Sequence, residues 1–347
     1  MTPTPPLAFA ARAACCIVII LLGLSPGFDR PGRALAGENA DPPRLRLACA
    51  TFPMWLAARN VAAGVNLFEF DLILPAMTGC PHDYEPTPRD VLRAAQADAL
   101  ILNGLGFDDA LLVDVLRERK GLAVIDASKR DHPAWIRADA NVAALTMPPQ
   151  PGKEWITAPG AAHAESEWNP HYFASPEEMA LSAIAIARGL TEHFRPYLTT
   201  SQNQMIQDNA RRYETAMKEL AASLREGIRQ LPNRRIVISH DAFAYFASHL
   251  GLQIVGVIES HPGVEPSPAE LRRIVEGARR ARAGGVFSEP QGDPAMAMLV
   301  AEGVGVKHGL LDPVAGGPAD APLDYYQKAM RMNLVRLGEI LGGADPE

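Results

Sequence analysis

Four residues in this 347-residue chain have side chains and positions suited to holding a metal ion: His82, His171, His240 and Asp293. His82 lies in P-H-D-Y-E-P-T-P (81–88) and His171 in N-P-H-Y (169–172). His240 follows the apolar run R-I-V-I-S, and Asp293 lies in E-P-Q-G-D-P (289–294). Each falls in a loop just after an apolar stretch or just before a helix start. Three imidazoles and a carboxylate make a complete tetrahedral set for Zn2+, at ~2.0–2.2 Å from the ion. Taken singly, any of these histidines is more ordinary than that, because no H-x-x-x-H or C-x-x-C pair marks a site.

The elements that must position them follow an alternation of short apolar strands and amphipathic helices from Leu45 onward, the pattern of parallel α/β units. Strands are expected at 45–49, 68–75, 99–102 and 123–126 in a first set, and at 235–239, 254–258, 285–288 and 306–310 in a second. Thr87-Pro88 with Asp90, Ser175-Pro176 with Glu178, and Ser267-Pro268 with Glu270 read as capping boxes, which fix where the chain leaves each loop. Residues 127–168 lack periodicity and form a long irregular loop. From about Thr200 to Gln230 no Pro interrupts a helical pattern, and ~30 residues at 1.5 Å each reach roughly 45 Å, enough to cross between two lobes. The expected fold is α/β: two similar lobes, each a parallel sheet flanked by helices, joined by one long linker helix. The divisions are 37–195, 196–231 and 232–347. In sheets of this kind ligands are held at the carboxyl ends of the strands, so His82 and His171 would come from one lobe and His240 and Asp293 from the other.

Residues 1–36 read as a secretory signal peptide. Arg12 supplies the positive start, Ala13–Leu24 the apolar run and Ala34-Leu35-Ala36 the cleavage site. The apolar run falls short of the ~20 residues that span a bilayer, and a periplasmic location follows. Past that segment only Cys49 and Cys80 remain. Each stands at a strand end, and they read equally as a disulfide or as two separate buried thiols. The net charge of -7, with both signs mixed along the chain, gives no basic stripe for nucleic acid and suits a cation as partner.

The motifs P-H-D-Y-E-P-T-P-R-D, N-G-L-G-F, N-P-H-Y-F-A-S-P, S-H-D-A-F-A-Y-F, V-E-P-S-P-A-E-L, F-S-E-P-Q and L-D-P with Y-Y-Q-K-A-M-R-M-N-L run in order through the chain. Together they resemble the cluster A-I solute-binding proteins, the zinc and manganese receptors of bacterial ABC importers. The resemblance implies a binding protein, not an enzyme: a monomer that captures Zn2+, with Mn2+ as alternative, and hands it to a membrane permease. It implies His82, His171 and His240 as ligands, with Asn169 where the family usually has Asp and Ala244 where it has Gly. The last ligand falls on Asp293, with Glu289 as substitute. Asp241 and Glu85 are expected to hold the far nitrogens of ligating imidazoles. The family's His-rich loop is represented only by His132 and His163, the latter near Glu167, and His261 lies near the expected cleft. A secreted zinc hydrolase is the alternative from another class; it would need a positioned general base, for which no H-E-x-x-H is present.

Overall fold

The computed structural model describes residues 44–75, 84–129, 135–136, 168–259 and 266–342. Residues 1–36, expected as a signal peptide, and His82, Cys80, His132, His163 and His261 lie outside the described residues, as does nearly all of the irregular loop.

The first lobe holds β1 (Leu45–Cys49), α1 (Phe52–Val61), β2 (Phe68–Leu72), α2 (Pro88–Ala95), β3 (Ala99–Leu102), α3 (Asp109–Glu118) and β4 (Ala123–Asp126). Helix α4 (Pro176–His193) and the 30-residue α5 (Thr200–Arg229) follow. The second lobe holds β5 (Arg235–Ile238), α6 (Ala244–Leu250), β6 (Gln253–Val257), α7 (Pro268–Arg280), β7 (Gly285–Ser288), α8 (Ala295–Val304), β8 (Lys307–Leu310) and α9 (Tyr325–Leu341). Both sheets are wholly parallel and share one topology, β2-β1-β3-β4 and β6-β5-β7-β8. In each, the strand order reverses beside the central strand, between β1 and β3 and between β5 and β7. A crevice opens there at the strands' carboxyl ends.

Side-chain alternation along each strand divides the apolar residues into layers. Leu47 and Cys49 face one way, into a large central core, and Ala48 and Ala50 the other, toward α2 and α3. In the second lobe Ile236 and Ile238 join the same central core, while Val237 and Val286 pack outward under α7 and α8. Both sheets therefore contribute to one apolar layer shared with α1, α4, α5, α6 and α9. The long helix is the strut expected from sequence, but it is embedded and not free-standing, with a buried stripe running from Ile206 through Tyr213 and Leu220 to Ile228.

The capping boxes at Thr87 and Ser267 form as expected. The one expected at Ser175 does not. Ser175 makes no side-chain cap bond; its hydroxyl stands 2.8 Å from His249 Nδ1 across the lobe boundary, and that partner replaces the helix's own N–H. Other bonds cross as well: Tyr326 donates to the Phe173 carbonyl (2.8 Å), Arg59 to that of Ala321 (2.7 Å) and Asn60 to that of Leu323 (2.9 Å). Among the described residues no helix is long and apolar enough to cross a membrane.

Buried Asn209 of α5 donates to the carbonyls of Val61 (2.9 Å) and Ala63 (2.8 Å), where α1 has run out of its own donors. Replacing it with Ala strands buried acceptors. Asn209→Ala is expected to lower the unfolding free energy by about 1–3 kcal/mol in urea denaturation, with metal stoichiometry unchanged.

Candidate metal centre

His240 leaves the end of β5 two residues past Ile238, and Glu289 leaves the end of β7 directly after Ser288. They flank the point where the second sheet's strand order reverses. His171 opens a short 3-10 turn, His171–Ala174, that is buried throughout. It meets His240 face to edge, with ring centroids 4.9 Å apart at 84°. His171 is fully buried and His240 nearly so.

The ring nitrogens are held in a definite order. His171 Nδ1 stands 2.9 Å from Asn169 Oδ1, and His240 Nδ1 is paired with Glu289. With each Nδ1 hydrogen directed to an oxygen, each Nε2 carries a lone pair. The two Nε2 atoms face each other at 3.3 Å. With both Nδ1 hydrogens so directed, the facing Nε2 atoms are suited to share one cation. Two donors at ~2.0–2.1 Å from one tetrahedral ion stand about 3.3–3.4 Å apart, which is the observed spacing.

Two carboxylates, of Asp241 and Glu289, stand beside the pair. Asp241 lies 3.7 Å from His171 Nδ1 and joins both imidazoles in a cluster of ligand atoms within 4.8 Å of one another. Asp312, two residues past β8, is buried. Burial pushes its carboxyl up; the Val314 N–H and the Arg336 charge oppose this, and the charge of Glu289 adds to it. Asp293, the acid expected from sequence, stands on the surface with its carboxylate accepting from the Ala295 N–H (2.9 Å) at the start of α8. Glu85 is exposed. The structure thus brings together His171, His240, Asp241 and Glu289 but does not bring Asp293 to them. Asp312 was overlooked in the sequence, although L-D-P places an acid just past a strand end, the same signal that marked His240.

The N-G-L-G-F-D-D loop packs against this site. Phe107 meets the His171 ring edge to face at 5.4 Å between centroids. The loop turns through positive φ at Gly104, Leu105 and Gly106 (81°, 56° and 81°), and a side chain at Gly104 would collide with Asp126 and Ser128. Buried Asp108 closes it, accepting from the N–H groups of Asn103 (2.6 Å) and Gly104 (3.0 Å). Tyr172 donates back to the Asn103 carbonyl (2.5 Å).

Comparison with known proteins decides the family. The model described as ZnuA, zinc-uptake complex component A periplasmic, matches residues 48–340. The chain belongs to that family. It is therefore a solute-binding protein that serves a metal importer of the ABC type, and not an enzyme. ZnuA-family proteins are periplasmic. Similar proteins include the high-affinity zinc uptake system protein ZnuA of Yersinia pestis, 28% identical over 270 residues (76% of this chain and 81% of that protein). The iron-binding protein YfeA of the same organism is 26% identical, covering 76% of each. Among solved structures, the solute-binding protein FpvC of Pseudomonas aeruginosa in complex with Mn2+ superposes with a TM-score of 0.70 at 25% identity, covering 86% of this chain and 99% of that one. A crystal structure of ZnuA, at 22% identity and a TM-score of 0.67, shares the fold over 86% of this chain and all of that one.

Burial pushes Asp108 up to about 7, against the two backbone bonds that favour its charged form. Between about pH 4 and 7 the folded protein therefore binds this proton more tightly than the unfolded chain. Its contribution to stability is complete at low pH and lost as pH rises through 7. Asp108→Asn is expected to remove that share of the pH dependence, so the fall in Tm of the metal-free protein from pH 5 to pH 8 is smaller in the variant; equal falls would contradict it.

Proposed function

We propose that the protein captures one Zn2+ per chain between its lobes, as a monomer, after export by residues 1–36, and releases it to a membrane permease. The observation that carries this reading is the facing Nε2 pair of His171 and His240 at 3.3 Å, with both far nitrogens engaged by oxygen acceptors. Imidazole nitrogen suits zinc over the oxygen-preferring Mn2+, and the similar Yersinia pestis protein carries zinc uptake in its name.

His82 is the third nitrogen donor in this proposal, on the strength of its motif in the sequence. A carboxylate completes the shell. Asp293 was the expectation, but its exposure and its bond to the α8 N-terminus favour a buried acid instead. Of these, Glu289 is bonded to His240 on the side away from the pair. Asp312 is the better choice, lying at the rim of the same sheet.

A manganese or iron receptor is the second reading. It is favoured by Asp241 and Glu289 beside the imidazoles, with Asp312 close enough to Glu289 to feel its charge.

Competition titration of the chelator-stripped protein is expected to give one zinc per chain. His171→Ala and His240→Ala should each weaken it roughly 100-fold or more, beyond the 10–100-fold usual for an outer partner. Asp312→Ala should weaken zinc and Asp293→Ala leave it unchanged; the reverse order would restore Asp293 as ligand. Tighter retention of manganese than zinc would establish the second reading.

A further inference from the structure

Asn169 touches both ligand-bearing segments at once. Its Oδ1 accepts from the His171 backbone N–H at 2.9 Å and faces His171 Nδ1 at 2.9 Å. Its Nδ2 donates to Asp241 Oδ2 at 2.9 Å and to the Asp241 carbonyl at 3.2 Å. The amide's orientation is fixed by chemistry, because a backbone N–H can only donate and a carboxylate can only accept. Asn169 is itself fully buried, and its backbone is gripped from both lobes. Its N–H donates to the Ile136 carbonyl (2.7 Å), and its own carbonyl accepts from the Tyr245 hydroxyl of α6 (2.8 Å).

We propose that Asn169 is the positioning residue that couples the two lobes to the metal ligands: its amide sets the His171 tautomer with one atom and holds the His240-bearing turn, through Asp241, with the other. The inference rests on the proposed metal function for its consequence, but the coupling itself is a property of the metal-free protein. In this chain an amide serves both partners because each demands an opposite role. The Asp that the family usually carries at this position is nearly the same size, but when ionised it can accept from His171 and cannot donate to Asp241. Held together, the two turns keep both Nε2 atoms aimed at one point before any ion arrives. The amide thereby converts a contact between lobes into ligand geometry.

The test exchanges the two side chains. In Asn169→Asp the donor to Asp241 is lost. In the double variant Asn169→Asp with Asp241→Asn, the carboxylate accepts from His171 and the new amide at 241 donates back, so the side-chain bond re-forms with its roles transposed, while the bond to the residue-241 carbonyl stays lost. Hydrogen exchange of the chelator-stripped proteins is expected to show faster exchange at residues 171–173 and 242–246 in Asn169→Asp, and protection restored in the double variant. Zinc affinity by competition should fall about 10–100-fold in the single variant; the double variant, which also alters Asp241 of the metal cluster, is read by exchange protection. Circular dichroism checks that each variant is folded. Wild-type protection and affinity in Asn169→Asp would overturn the inference, as would a double variant no better protected than the single. Should the wild-type protein hold no metal, the proposed function fails, while the exchange data from metal-free protein still decide whether Asn169 couples the turns.

Discussion

Two imidazole Nε2 atoms face each other across 3.3 Å in a buried cleft, each ring held from its far side, and much of the structure serves to maintain that geometry. Here Asn169 and Glu289 hold both Nδ1 atoms, and the aromatic edges of Phe107 and Phe173 pack on the His171 ring. A rigid, pre-aimed site of this kind binds its ion without first having to order the ligands, so less of the coordination energy is lost to ordering them.

That rigidity has a structural source in the shared central core. The two sheets bury one face each into the same apolar layer, and α5 runs the length of it. Bonds between the lobes occur on several sides, from Arg59 and Asn60 of α1 reaching the loop before α9 to Ser175 meeting His249. Large hinge opening would break many of these together. Closure in such a protein is therefore a matter of small shifts in loops at the strand ends, in contrast to receptors whose domains swing on flexible strands.

Much of the fold was legible along the chain because parallel strands buried on both faces are short apolar runs. Ala99–Leu102 and Arg235–Ile238 stand out against the polar helices around them. The capping boxes at Thr87 and Ser267 were equally legible, since a hydroxyl and an acid three residues apart satisfy each other locally. Ser175 shows the limit of that rule. Its sequence context matched the other two, but a histidine 74 residues away competed for the hydroxyl, and no local pattern announces such a partner.

The same division runs through the site. The sequence by itself named the candidate ligands, His82, His171, His240 and Asp293, from their donor atoms, their places at strand ends or helix starts and the family motifs around them. Only the tertiary structure decided which nitrogen of each ring faces the cleft and that Asn169 bridges the lobes. It also decided that Asp293 stays on the surface while Asp312 and Glu289 are buried. The physical reason is that ligand identity is a property of one side chain, whereas tautomer, aim and burial depend on partners contributed by the other lobe. Those partners meet only when two sheets far apart in sequence bury their inner faces in a single core.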